Sequence, residues 1–185
     1  MAKKILFVID MQNDFIDGTL GSKEAVNIVP NVVDIINNFG DKKYDMIFYT
    51  MDTHDADYLK TLEGKNLPIE HCIENTKGWE LNEKAKEAID KYPKNLVKCF
   101  KKNTFGSLDM VKEASLYLWE NINSEDKIYI LGLCTDICVI SNAILLRAKF
   151  PNLKIYCYEK CCAGTSTESH NAAITILKTN QIEVI

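Results

Sequence analysis

The sequence contains no apolar run approaching the ~18 residues that cross a bilayer, which excludes a helical membrane span. It has no long block of lysine or arginine, and its formal net charge is −4. A nucleic-acid or membrane-surface partner is therefore not expected. Nowhere is there a C-x-x-C pair, so zinc-finger ligation and thioredoxin-type redox chemistry lack their residues. The seven cysteines are odd in number and fit a reducing compartment better than a disulfide framework. The opening MAKKILFVID has a basic pair and a short apolar stretch, which ends at Asp10 with no small-residue cleavage site beyond it. A buried strand explains it better than a signal peptide. A cytoplasmic protein is the resulting expectation. Repeats, low-complexity tracts and linkers are missing too, so residues 1–185 read as a single domain.

What is present is an alternation. With 46% apolar and 26% charged residues, the chain has the profile of an ordinary globular domain. Apolar runs at 4–10, 44–50, 127–133 and 153–159 read as strands, with shorter candidates at 95–100 and 182–185. Their apolarity is continuous rather than alternating, as a parallel sheet covered on both faces requires. Between them, residues 24–39, 80–90, 107–120, 137–149 and 168–179 carry helical periodicity. The fold class predicted is α/β, a three-layer sandwich with a mostly parallel, about six-stranded sheet flanked by helices. Residues 51–79 show no clear period, and a long irregular segment inside a compact domain is usually functional.

Open parallel sheets bind ligands beyond the carboxyl ends of their strands, so the residues following each strand matter most. They are Asp10; Asp52 and His54; Lys101 and Lys102; and the stretch GLCTDICV at 132–139. In that stretch a helix is expected to begin at Thr135 or Asp136, either a good N-cap. Cys138 then falls in the first turn, where free N–H groups and the helix dipole favour a thiolate. A small buried residue is an equally good reading of it. Cys134 ends the strand and is read as packing, with its backbone N–H still available. Asp10 and Lys102 would complete a nucleophile, base and charge set. Asp52, His54, Glu63 and His71 form a second group that suits Zn, Fe or Mn, although turn chemistry with one capping histidine accounts for it as well. His170 reads as a capping or packing residue.

Three segments carry a resemblance. FVIDMQNDF, KKNTFGS and GLCTDICV are similar to the motifs of the isochorismatase-like cysteine hydrolase superfamily, in its nicotinamidase-like branch, and the likeness runs nearly end to end. The resemblance implies that Asp10 is the base, Lys102 (three residues before Phe105) the catalytic lysine and Cys138 the nucleophile. It implies a cis peptide just before Cys134, with the N–H groups of Cys134 and Cys138 forming an oxyanion hole. It also implies a divalent metal held by Asp52, His54, Glu63 and His71. The implied activity is hydrolysis of a carboxamide C–N bond through a thioester, foremost nicotinamide to nicotinate and ammonia. The alternative is a ureidoacrylate-type or carbamoyl-amino-acid-type substrate. A non-enzymatic binding or redox protein on the same fold is the third class. A small-molecule amide is the implied partner, and a homo-oligomer, dimer or tetramer, the implied assembly. The chain departs from the pattern at Asn75-Thr76, where a glycine turn is usual, and at Leu67, where an aromatic ring often stacks on the substrate. Phe15 and Phe105 would then supply the aromatic walls.

Overall fold

A computed structural model describes residues 2–40, 45–119 and 123–185. Tyr44 and Glu120, at the ends of an expected strand and helix, lie outside the described residues. Among these residues six strands, β1 (Lys4–Ile9), β2 (Asp45–Asp52), β3 (Val97–Lys102), β4 (Lys127–Leu133), β5 (Lys154–Ala163) and β6 (Glu183–Val184), form one sheet in the order β3-β2-β1-β4-β5-β6. All neighbours are parallel. Among the described residues seven α-helices accompany them: α1 (Asn13–Ile16), α2 (Lys23–Asn38), α3 (Leu62–Asn66), α4 (Glu83–Asp90), α5 (Leu108–Trp119), α6 (Ile140–Lys149) and α7 (Thr167–Thr179). The predicted three-layer α/β class is what the chain adopts.

Strand order follows burial. Ile5 to Ile9 of β1 are fully buried, which suits a central strand covered on both faces; each such side chain contributes roughly 1.5–3 kcal/mol. At the edge, β3 exposes Lys98, Cys99 and Lys101, and charged edge strands resist pairing with other chains. The helix α2 starts at an N-cap Ser22 that accepts from the Ala25 N–H at 3.0 Å. It buries Ala25, Ile28, Val29, Val32 and Ile36 along one stripe, the spacing of an amphipathic helix.

The chain runs outward from β1 through β2 to β3, then returns to β4 and runs outward to β6. Right-handed crossovers put the helices of the two halves on opposite faces. The order therefore reverses between β1 and β4, and a crevice opens beyond their carboxyl ends. Residues 51–79 are less irregular than expected: a 3₁₀ turn (Tyr58–Lys60) and α3 interrupt them. Among the described residues no helix is long and apolar enough to cross a membrane.

Candidate active site

Asp10 directly follows β1, next to the crevice. Its backbone takes a positive φ of 45°, a region that aspartate tolerates better than most residues. On the neighbouring strand, Gly132 has φ +125°, and a Cβ there would sit 2.1 Å from the Ile9 carbonyl oxygen. Only glycine lets β4 pass the end of β1 so closely. The next peptide, Leu133–Cys134, is cis, as the resemblance implied.

Asp10 is completely buried. Thr50 Oγ1 donates to Asp10 Oδ1 at 2.7 Å and accepts the Asp10 N–H at 3.2 Å. Lys102, the last residue of β3, places Nζ 2.7 Å from Asp10 Oδ2, 3.4 Å from Asp52 Oδ1 and 3.6 Å from Cys138 Sγ. The structure thus gathers Asp10, Lys102 and Cys138 around one ammonium group. Lys101, its neighbour, points outward to Glu74 at 2.6 Å and lies over the Trp79 ring.

Burial raises the Asp10 carboxyl above its ordinary value, and the Lys102 charge offsets this only in part. For Lys102, burial favours the neutral amine, but Asp10, Cys138 and Asp52 outweigh it and hold the group protonated. Cys138 is buried, as one of its two sequence readings had it, and the thiolate expected of a helix start is not favoured. Its thiol is pushed well above the ordinary value, chiefly by burial and then by Asp10. Desolvation outweighs the helix start, so the resting group is a thiol beside a carboxylate of raised basicity. The helix start differs too. Its N-cap is Cys134, and the first turn, Thr135–Val139, is π-helical. Asp136 instead accepts the Thr165 N–H at 2.9 Å and the Thr165 hydroxyl at 2.5 Å. Thr135 is buried and shares a 2.9 Å hydrogen bond with His170 Nδ1, so His170 braces this turn and caps no helix.

The second group converges as well. One ligand atom from each of Asp52, His54, Glu63 and His71 falls within 4.8 Å of all the others. His54 Nε2 lies 2.9 Å from Asp52 Oδ2, and His71 Nε2 lies 3.5 Å from the same oxygen. Both imidazoles are 3.8 Å from Glu63 Oε1. His71 Nδ1 donates to the Ile69 carbonyl at 2.8 Å, which leaves Nε2 free as a ligand, the outer support that metal-binding histidines usually have. Two imidazole nitrogens and two carboxylates are a donor set that fits a divalent transition ion. Burial opposes ionisation of Asp52, yet hydrogen bonds from His54 and His71 and the Lys102 charge hold it below the usual carboxylate range. Glu63 is raised, first by burial and then by Asp52.

A cavity of about 1030 Å³ joins the two groups. Its wall includes Cys134, Cys138, the four candidate metal ligands and all three expected pocket residues, Phe15, Leu67 and Phe105. Asp10 and Lys102 are not part of that wall.

Several supporting residues escaped the sequence reading. Gln12 is fully buried. Its Nε2 donates to the Asp52 and Trp79 carbonyls, both at 2.8 Å, and its Oε1 accepts the Asp52 N–H at 2.7 Å. Asp14 accepts the Cys72 N–H at 2.7 Å, which anchors the chain just after His71. Tyr58 packs against both His54 and His71, with ring centroids 4.6 and 4.9 Å away. Its hydroxyl donates to the Leu67 carbonyl at 2.9 Å. The signal for Gln12 and Asp14 was their place inside MQNDF; Thr50 and Tyr58 carried none.

The isochorismatase domain model matches residues 4–185. The chain belongs to that family. Within it, the nicotinamidase of Schizosaccharomyces pombe is 29% identical, covering 97% of this chain and 91% of that one. The crystal structure of the nicotinamidase/pyrazinamidase of Bacillus subtilis superposes with a TM-score of 0.81 at 26% identity, covering 98% of each chain. That of a Pyrococcus horikoshii pyrazinamidase in complex with zinc gives 0.76 at 25% identity, covering 99% of this chain and 98% of that one.

Proposed function

We propose that this family member is a cysteine amidohydrolase that converts nicotinamide to nicotinate and ammonia. The observation that carries the reading is the Lys102 ammonium, 2.7 Å from Asp10 and 3.6 Å from Cys138, behind a cavity wall that also holds a metal-type donor set. The likeness to nicotinamidases supports the substrate.

In this reading Asp10, buried and made more basic, takes the Cys138 proton as the sulfur attacks the carboxamide carbon. Lys102 stays charged and offsets the negative charge that moves between carboxylate and sulfur. Backbone N–H groups of Cys134 and Cys138 hold the tetrahedral oxyanion, a contribution typically worth ~10²–10³-fold per donor. Asp10 returns the proton to the departing nitrogen, which leaves as ammonia. Water then hydrolyses the thioester and Asp10 again accepts the proton. Asp52, His54, Glu63 and His71 would hold a divalent ion, Zn, Fe or Mn. When bound, the ion supplies a Lewis-acidic contact for a ring nitrogen or a water molecule. Phe15, Leu67 and Phe105 would flank the ring.

Charge favours this substrate over the alternative. The cavity wall carries Asp52, Asp55, Asp57 and Glu63 but neither lysine nor arginine. A carbamoyl amino acid or ureidoacrylate would bring a carboxylate into that wall with no cationic side chain to meet it. Ammonia release from nicotinamide, pyrazinamide, ureidoacrylate and carbamoyl amino acids tests the reading. Turnover of the two neutral ring amides is expected. Turnover confined to the anionic compounds, or none at all, overturns it. We also propose a cytoplasmic homo-oligomer, dimer or tetramer, checked by light scattering on the purified protein.

A further inference from the structure

The loop between Lys102 and α5 carries Phe105 to the cavity, and one side chain ties that loop to the nucleophile. Asn142 lies on α6 and is completely buried. Its Oδ1 accepts the Ser107 N–H at 2.8 Å. Its Nδ2 donates to the Cys138 carbonyl at 2.8 Å and to the Phe105 carbonyl at 3.2 Å. Among the described residues no other side chain hydrogen-bonds both segments. The other hydrogen bonds of this loop are local: Thr104 Oγ1 donates to the Gly106 carbonyl at 2.8 Å, and the Met110 N–H to Ser107 Oγ at 3.2 Å. The loop also lies tight on α6, since a Cβ at Gly106 would meet Leu145 Cδ1 at 2.6 Å.

We propose that Asn142 is a positioning residue that sets the separation between the Phe105 wall and the Cys138 thiol. The inference rests on the amidohydrolase reading. A planar amide with acceptor and donors used on opposite sides holds three backbone groups in one frame. A buried amide whose partners are lost leaves those groups unsatisfied, so the segments must move apart or admit water. Misplacement by about 1 Å near a reacting centre can cost ~10²-fold. Phe105 sits at the cavity on an otherwise locally bonded loop, so a shift there alters how a ring is gripped. A shift of the Cys138 carbonyl re-aims the first helical turn and the thiol with it.

The near-isosteric N142D variant tests this, because it keeps the acceptor for Ser107 but replaces both donations with oxygen facing oxygen. The expected result is a correctly folded protein by circular dichroism, with kcat/KM for a ring-bearing amide reduced at least tenfold. The loss for a small acyclic amide such as propionamide should be several-fold smaller, because only the ring needs the Phe105 wall. F105A and N142D combined should lose less than the product of their separate losses, the signature of residues acting through one another. Losses equal for ring and acyclic amides, or multiplying in the double variant, overturn the proposal. If N142D does not fold, N142S with its shorter donor is judged by the same two ratios. If the wild type releases no ammonia from any amide, the amidohydrolase reading is what fails. Iodoacetamide labelling then tests Asn142 separately: an altered rate at Cys138 in the folded variant sustains the link, and an unchanged rate ends it.

Discussion

The cavity has two chemically different corners. Around Lys102, the side chains of Asp10 and Cys138 come from the end of a central strand and the start of a helix, are nearly inaccessible, and centre on one positive charge. Around His54 and His71, the donors come mostly from the segment after β2, Glu63 is partly exposed, and two carboxylates face each other across imidazoles. The first corner is complete in itself. The second gathers negative groups that repel, and it is held together by neighbours: Gln12 on Asp52, Tyr58 against both imidazoles, Asp14 on Cys72. Rigid strand ends suit the proton passing proposed for the first corner, whereas the loop-borne donors of the second would be closed by the proposed cation.

Breaking the first corner should cost most. Cys138→Ala is expected to lower ammonia release by at least ~10³-fold, since in the proposed mechanism no other group replaces the covalent nucleophile; steady-state assays at saturating amide decide it. Asp52→Asn comes next, because Asp52 faces both corners, with Oδ1 toward Lys102 and Oδ2 toward both histidines. It should lose bound metal and also lower kcat, whereas His54→Ala should lose the metal, measured by elemental analysis, with the smaller effect on Cys138 labelling. Full metal content in either variant would remove those residues from the ligand set. The pH profile separates the corners more gently. In the proposed mechanism Asp10 must be unprotonated to accept the thiol proton, and burial raises its value. Activity should therefore fall with decreasing pH around a midpoint above the ordinary carboxylate range near ~4, read from kcat/KM against pH. The smallest effect is expected from Cys134→Ala, whose contribution runs through the backbone; kcat within about tenfold of wild type is the predicted result. A loss as large as that of Cys138→Ala would exchange the two cysteines' roles.

The legible parts of this molecule are those with a local pattern. Continuous apolar runs marked the central strands, because a strand buried on both faces has no polar alternation to confuse the reading. Asp10 and the cysteine stretch were visible as polar or reactive groups at the ends of such runs. The length of β5 was not, since Lys160 to Ala163 continue it beyond Glu159, where the apolar run ended. Nor was the π-helical turn visible, because its start depends on Asp136 bonding Thr165 and Thr135 bonding His170, partners far along the chain. Long-range partnership is also why Thr50 and Asn142 went unseen: each is an ordinary polar residue until the fold places it beside backbone groups distant in sequence that it can satisfy. The thiol's raised value has the same origin, since burial is a property of the packed molecule and not of a segment.

Asp10's left-handed backbone has a practical use. Asparagine tolerates that conformation as readily as aspartate and matches its outline, so Asp10→Asn should keep the backbone turn and the hydrogen bond with Thr50 while abolishing proton acceptance and the ion pair with Lys102. Such a protein would be a trap: it could hold an intact amide long enough to be crystallised with it, so the question of what fills the cavity could be answered by direct observation of the captured molecule.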